Sequence, residues 1–328
     1  MVSRHPATLK HVAQALAVAR LSSRQAIGPS FLPRTAPGEF EVVLLDLDLD
    51  VGTPPVELCA QVAAACPGTN IIAIAGINAR HRLVQSLGHP DVVGIMPKIG
   101  GWSESTAGDT KLEGPDEQLL GLALRRRMER AIQPAGPAPY LLTGTNLEER
   151  IIGGSVDKDT ALSDLLADAA RYGLSDEKVR RVETAADELM LNGIYDAPRD
   201  EAGNALHADI DRRTPVRLAA QAQVRVRWGC DGHTFAVSVT DRFGALERAT
   251  VASHIQRLLD ARSPRLGRGG GGSTTGGAGL GLVLTFSAAN QLAIQVIAGR
   301  FTEVTAALHV AGSNRTAVAR GSSLHILD

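Results

Sequence analysis

The sequence predicts an α/β domain followed by an α+β domain, and three observations support this assignment. Continuous apolar runs alternate with helical patterns over the first part of the chain, as in a doubly wound parallel sheet. Later runs alternate apolar and polar residues on either side of Asp231-Gly232, which is typical of a hairpin. Residues 133–139 contain three prolines and predict a linker between the domains. We therefore expect domains at residues 1–132 and 140–312, with a C-terminal tail at 313–328.

Each element of the first domain follows from its local pattern. Short apolar runs predict buried strands at residues 40–45, 71–75 and 92–96. Helical patterns lie at residues 11–19, 54–65, 81–87 and 117–132. Strands of this kind, alternating with helices, imply a parallel sheet that is buried on both faces.

The second domain combines helices with antiparallel strands. Amphipathic helices are predicted at residues 159–172 and 175–196, with Ser175 as N-cap of the second. Further helices are predicted at residues 251–259 and 282–286. Strands are predicted at residues 150–156, 221–228, 234–240, 292–297 and 304–310. Helices followed by antiparallel strands predict a two-layer α+β sandwich.

The composition narrows the class of partner. Lys and Arg total 34 against 35 Asp and Glu, so no charge excess favours nucleic acid. No apolar run is long enough to span a bilayer, and the N-terminus lacks a signal-peptide pattern. Cys59, Cys66 and Cys230 show neither metal-ligand nor disulfide spacing. We expect a reduced cytoplasmic protein that binds neither membrane nor nucleic acid.

Glu188 and Asn192 form the first candidate site. They are four residues apart on a predicted helix and so share one face. A carboxylate and an amide oxygen suit Mg²⁺, which prefers oxygen ligands. The alternative is a solvated polar pair on an ordinary helix.

Two glycine-containing motifs follow. Asp241 ends a predicted strand and precedes Gly244, so its carboxylate can accept a hydrogen bond from an adenine amino group. Gly277, Gly279, Leu280 and Gly281 open an apolar helix, where backbone N–H groups and the helix N-terminus suit a polyphosphate. The alternatives are a turn after an edge strand and a flexible linker before a helix.

Together and in this order, the three motifs resemble the nucleotide site of the GHKL ATPases, the superfamily of gyrase, Hsp90, histidine kinases and serine-kinase anti-sigma factors. The resemblance implies the GHKL (Bergerat) ATPase fold, with ATP and Mg²⁺ as cofactors. It makes Asn192 the Mg²⁺ ligand and Glu188 the general base. It also implies that Thr302 lies near the adenine. The lid of the site would contain Arg262, Arg265 and Arg268.

Residues 150–198 are most similar to serine-kinase anti-sigma factors, and the resemblance extends over about residues 140–310. Phe243 and Leu246 depart from the family's Asp-x-Gly-x-Gly box, and Phe301 replaces a later glycine. Residues 197–216 form a polar insertion where these proteins have a short loop. The resemblance implies a protein partner, either a sigma-factor-like or anti-anti-sigma-like regulator or another signalling protein, and a homodimer. A histidine kinase is disfavoured because no histidine lies between His89 and His207.

The first domain resembles a response-regulator receiver, which has a doubly wound, flavodoxin-like fold. The matching residues are Asp46 after a buried strand, Gly76 after the next and Lys98 after the last. Ser3 stands in the segment where a working receiver carries its acidic pair. We therefore interpret Asp46 and Lys98 as a degenerate phosphoacceptor region, and the domain as a pseudo-receiver that serves for docking.

Three hypotheses remain at this stage. The first is a bacterial-type signalling regulator that binds ATP and Mg²⁺ and phosphorylates Ser or Thr of a partner protein. The second is a scaffold that binds ATP without catalysis, or binds no nucleotide, and sequesters a signalling partner. The third, which we favour least, is a phosphorelay protein that uses Asp46.

Overall fold

The computed structural model describes residues 1–4, 6–18, 22–29, 32, 34–76, 79–98, 133–207, 210–262, 280–310 and 322–327. The chain divides into two compact units. The first comprises Met1–Arg130 with Arg315–His325, and the second Ala131–Asn314 with Ile326–Asp328. The protein is an α/β protein in which parallel and antiparallel strand pairs both occur.

The first unit is built on three parallel strands. These are β1 (Val42–Asp46), β2 (Asn70–Ala75) and β3 (Val92–Pro97). The helices are α1 (Pro6–Val18), α2 (Pro55–Ala65) and α3 (Arg80–Ser86). Val12 and Leu16 of α1 pack in one apolar cluster with alternate strand residues such as Ile72. The intervening strand residues are also buried, so the expected sheet with two covered faces is confirmed.

The described N-terminal residues contribute one bridge residue rather than a full strand. Val2 alone makes parallel bridges, to Leu45 on one side and to Ala26 on the other. Its N–H donates to the Leu44 carbonyl, and its own carbonyl accepts from the Asp46 N–H. This single extended residue therefore brings the N-terminus beside the carboxyl end of β1.

The second unit contains five antiparallel strands. In chain order they are β4 (Leu147–Ile152), β5 (Val224–Cys230), β6 (Thr234–Asp241), β7 (Gln291–Ile297) and β8 (Phe301–His309). Their order in the sheet is β7-β8-β6-β5-β4. The predicted hairpin is present as β5 and β6, joined through Asp231 and Gly232.

The described residues of the second unit form four α-helices. They are α4 (Ser155–Arg171), α5 (Asp176–Leu191), α6 (Arg248–Arg262) and α7 (Leu280–Ala288). Helix α5 contacts α4, α7 and strands β6 and β8, so it lies at the centre of the helical layer. Its buried side chains, including Val182, Ala186 and Leu189, recur at helical spacing. Ser175 occupies the N-cap position, but its side chain makes no capping hydrogen bond.

Two departures from the predicted organisation affect how the second unit begins. The strand expected at residues 150–156 lies at Leu147–Ile152, and Ser155 already begins α4. The change of direction occurs at Gly154, where a Cβ would lie 2.4 Å from the Val216 carbonyl oxygen. Residues 133–139 are not a free connection, because the N–H groups of Ala135 and Gly136 donate to Glu303 on β8.

The last strand had no signal in the sequence. Residues 323–327, expected within a tail, form β9 (Ser323–Leu327), which pairs antiparallel with β3 through Ile95 and Leu324. Cys59 and Cys66 are buried free thiols. Among the helices that the structure describes, none combines the length and apolarity needed to span a membrane.

Candidate functional site

The first motif lies where α5 continues into a π-helical turn at Asn192–Asp196. The apolar face of α5 is buried, which leaves Glu188 and Asn192 half-buried on an adjoining face. Burial raises the pKa of Glu188 above its ordinary value, and the nearby guanidinium of Arg212 opposes that shift. The four-residue spacing of Glu188 and Asn192 thus places both side chains on one face of the helix.

The second motif places a buried carboxylate at the end of β6. Asp241 is paired with Thr302 of β8 across the sheet, and only 8% of its surface is exposed. Its Oδ1 accepts from the N–H groups of Phe243 at 2.8 Å and Gly244 at 3.4 Å. Burial raises the pKa of Asp241, and hydrogen bonds from Phe243, Gly244 and Thr302 oppose that rise. Asp241 and Thr302 thus form the adjacent pair that the sequence resemblance implies.

Gly244 allows the chain to turn beside Asp241. Its φ of +59° lies in the left-handed region that favours glycine. A Cβ at this position would lie 2.1 Å from the carbonyl oxygen of Ile297, which is backbone and cannot easily move. Glycine is therefore required at position 244 for the chain to turn here.

A cavity of about 420 Å³ connects the motifs within the second unit. Asp241 and Thr302 line it, and Asn192 and Asp196 line it where α5 ends. Leu189, Val239, Leu282 and Val304 supply apolar surface. The remaining lining residues come from the α5 end, the segment after it and the region of α6: Gly193, Ala197, Arg199, Ala205, Ala245, Leu246, Glu247, Thr250 and His254. An apolar cavity with a few placed polar groups is the usual form of a small-molecule site.

The third motif is described only from Leu280 onward. Leu280 begins α7, and a Cβ on Gly281 would lie 2.5 Å from Glu188 Oε2 and 3.2 Å from Asn192 Oδ1. Glycine therefore permits the first turn of α7 to approach the α5 pair closely. Gly277, Gly279, Arg265 and Arg268 lie outside the described residues, as does the side chain of Arg262.

Sequence reasoning missed the cation at this site. Arg212, from the polar insertion, donates from Nη2 to Asp196 Oδ2 at 2.7 Å and to Asn192 Oδ1 at 3.3 Å. Its Nη1 lies 3.4 Å from Glu188 Oε2. Asp196 was detectable, since it follows Asn192 by four residues on a helical path. Arg212 had no such signal, because it belongs to an irregular segment.

This arrangement bears on the expected Mg²⁺ site. Glu188, Asn192 and Asp196 offer oxygen ligands, but one guanidinium already contacts all three side chains. Within the described ranges, no group of three or more His, Cys, Asp and Glu side chains is placed to hold a metal ion. As arranged here, the donor set does not fit a divalent cation in addition to Arg212.

The first unit contains a cluster of charged side chains that pair with one another. Lys98 Nζ lies 2.6 Å from Asp46 Oδ1 and 2.9 Å from Asp48 Oδ2. Ser3 Oγ donates to Asp46 Oδ2 at 2.5 Å, and the Gly76 N–H donates to Asp48 Oδ2 at 2.7 Å. The Asp46 side chain is fully buried. The structure thus brings together Asp46 and Lys98, as predicted, and adds Asp48 as a partner of Lys98.

In comparisons with known proteins, no family model matches the chain, and no curated protein matches it. The cavity in the second unit and its contacts therefore form the basis for a functional assignment.

Proposed function

We propose that the second unit binds ATP or ADP, with the adenine in the cavity beside Asp241 and Thr302. The observation that carries the proposal is a buried carboxylate on the wall of a mostly apolar cavity of about 420 Å³. Apolar walls favour a flat heteroaromatic base, and the carboxylate accepts from its exocyclic amino group. The order and spacing of the three motifs, which resemble a GHKL site, also support the proposal.

The phosphates would extend toward the end of α5 and the beginning of α7. Asn192 lines the cavity there, and Gly281 keeps the first turn of α7 close to it. Backbone N–H groups in the first turn of a helix and its positive dipole end favour phosphate oxygens. Arg199 and His254 also line the cavity, beside the carboxylates of Asp196, Asp241 and Glu247, and would offer N–H donors to phosphate oxygens.

A second candidate function is phosphate transfer to a Ser or Thr hydroxyl of a protein partner. The burial that raises the pKa of Glu188 favours it, because a carboxylate of raised pKa is a better base. Glu188 would accept the hydroxyl proton as the hydroxyl oxygen attacks the γ-phosphorus, and ADP would leave with the bonding electrons. The alternative is a nucleotide-binding scaffold without transfer.

The first unit would then serve as a docking module, in the manner of a pseudo-receiver. The order of its parallel segments is Ala26, Val2, β1, β2, β3, which agrees with the 2-1-3-4-5 order of flavodoxin-like folds. Its charged groups at the strand ends are already paired with one another. A sigma-factor-like or anti-anti-sigma-like protein is the class of partner that the resemblance favours.

Isothermal calorimetry with ATP, ADP and GTP tests the nucleotide proposal. We expect Asp241→Asn to weaken ATP and ADP binding by about 30-fold, equivalent to about 2 kcal/mol. It should also reduce the preference for ATP over GTP, because guanine presents a carbonyl oxygen where adenine presents an amino group. Asp159→Asn is the matched control, since the side chain of Asp159 on α4 is 80% exposed.

Two results would contradict this proposal. One is a wild-type protein that binds none of the three nucleotides. The other is an Asp241→Asn variant that retains wild-type affinity and the same preference for ATP.

A further inference from the structure

The placement of Arg212 suggests a role for the polar insertion in the nucleotide site. Two adjacent residues of the insertion differ sharply in exposure: the Arg212 side chain is 23% exposed and the Arg213 side chain 91%. Arg213 pairs with its neighbour Asp211, whereas Arg212 reaches back to α5. The insertion thus directs one of two adjacent guanidinium groups into the site.

The backbone of the insertion is fixed independently of the Arg212 side chain. The hydroxyl of buried Tyr195 lies 3.0 Å from the carbonyl oxygen of Arg212 and 2.8 Å from that of Thr214. In both contacts the acceptor is a main-chain carbonyl oxygen, so a substitution of the Arg212 side chain leaves them in place. The side chain is therefore positioned by a local anchor rather than by its ion pairs alone.

The groups that Arg212 contacts are those that would attract a divalent cation. Two carboxylates and an amide oxygen, from Glu188, Asp196 and Asn192, lie within 3.4 Å of its terminal nitrogens. The guanidinium thereby places a positive charge directly against both carboxylates.

We propose that Arg212 takes the place of a divalent metal in this site. It holds Glu188, Asn192 and Asp196 together and supplies positive charge to the phosphates of the bound nucleotide. Arginine suits this position because its planar guanidinium has five N–H donors. The N–H groups that contact the protein leave others available for phosphate oxygens. The inference has two halves. The metal half, that Arg212 takes the place of a divalent cation, does not depend on the proposed nucleotide function. The phosphate half, that Arg212 supplies positive charge to the phosphates, rests on that function.

Binding of Mn²⁺ alone, followed by electron paramagnetic resonance, tests the metal half. Wild type should bind Mn²⁺ weakly, because Arg212 already occupies the oxygen ligands. Arg212→Ala should bind one Mn²⁺ more tightly than wild type by about 10-fold or more. A 10-fold difference corresponds to a change in binding free energy of about 1.4 kcal/mol. Adding Asp196→Asn to Arg212→Ala should abolish that gain, and the control Arg213→Ala should behave as wild type.

Arg212→Lys is a second variant that keeps the experiment decisive if Arg212→Ala misfolds. Lysine keeps a positive charge near the carboxylates, so this variant should exclude Mn²⁺ as wild type does. Equal Mn²⁺ affinity in wild type, Arg212→Ala and Arg212→Lys would overturn the metal half.

Calorimetry with ADP, in excess Mg²⁺ or in EDTA, tests the phosphate half. The dissociation constant of wild type should change by less than about threefold between the two conditions. In Arg212→Ala, binding in EDTA should weaken by about 10-fold or more, and excess Mg²⁺ should restore part of it. An equal benefit from Mg²⁺ in both proteins overturns the phosphate half while the nucleotide function stands. Failure of wild type to bind ADP in either condition overturns the phosphate half together with the proposed function, and the Mn²⁺ result still decides the metal half.

Discussion

Both units place an aspartate at the end of a β-strand, but the two carboxylates have opposite surroundings. Asp46 at the end of β1 is fully buried and pairs with the Lys98 ammonium and the Ser3 hydroxyl. Asp241 at the end of β6 accepts from backbone N–H groups and from Thr302, all neutral donors. One carboxylate is thus matched by a buried cation, and the other lines a cavity.

The comparison shows that a strand-end carboxylate gains its role from the neighbours that the fold supplies. A buried carboxylate and ammonium in contact neutralise each other, and separating them is costly, so the pair has a structural role. A buried carboxylate with neutral donors keeps its charge uncompensated and faces a volume that a donor ligand can enter. Only the second arrangement is suited to recognising a small molecule.

The largest effect that we predict is on the first unit. Lys98→Ala leaves Asp46 buried without its cation and should lower the free energy of unfolding by about 3–5 kcal/mol. Urea unfolding measures it, with Lys10→Ala as the control because Lys10 is exposed. The double variant Asp46→Asn/Lys98→Ala should recover much of the loss. A single variant as stable as wild type would mean that the pair has no structural role.

The next largest effect concerns the turn beside Asp241. Gly244→Ala should cost about 1–2 kcal/mol for the left-handed backbone and more for the contact with the Ile297 carbonyl. Gly232→Ala is the matched control, because Gly232 also has positive φ but has no atom within 4 Å of the added Cβ. The difference between their unfolding free energies isolates the contact with Ile297. Equal losses in the two variants would show that the turn beside Asp241 is not closely packed.

The sequence was most informative where the structural cause is local. Strands β1 to β3, helix α5 and the β5–β6 hairpin follow from periodicity and turn residues, which are properties of neighbouring positions. The pairing of Asp241 with Thr302 is longer in range, and no local pattern predicts it. The resemblance implied only that each residue lies near the adenine. Local patterns thus predicted the elements, but not the pairing between them.

The features that sequence reasoning missed depend on contacts between distant or irregular segments. Arg212 reaches α5 from an insertion with no periodicity, and its direction depends on the anchor at Tyr195 and on its own ion pairs. Glu303 lies just before the strand predicted at residues 304–310 and was given no role, yet it accepts from the N–H groups of the linker segment at Ala135 and Gly136. Strand β9 is five residues long and pairs with β3 from the far end of the chain. None of these contacts is encoded in a short window of sequence.

A smaller effect should separate stability from binding at Asp241. Burial raises the pKa of this carboxyl in the folded protein, so its stabilising contribution is present below the unfolded value of 3.8 and is lost as the pH rises through the folded pKa. At neutral pH, Asp241→Asn should therefore raise the free energy of unfolding, even though it weakens nucleotide binding. Calorimetric melting at pH 7 and pH 4 measures the difference, which should shrink at the lower pH. A variant that is less stable than wild type at pH 7 would show that the buried charge of Asp241 does not destabilise the folded protein.

The smallest effect is expected when the protein is treated with acetyl phosphate and Mg²⁺. Phosphorylation of Asp46 requires one of its oxygens to attack, but Oδ1 contacts Lys98, Oδ2 accepts from Ser3, and the side chain is fully buried. The intact mass should therefore remain unchanged in wild type. Ser3→Ala sharpens the test, because it removes the partner of Oδ2 while the Lys98 pair and the burial remain. A gain of one phosphoryl group in wild type that Asp46→Asn abolishes would show that the first unit is a working switch, and the contrast between its closed carboxylate and the ligand-facing Asp241 would no longer hold.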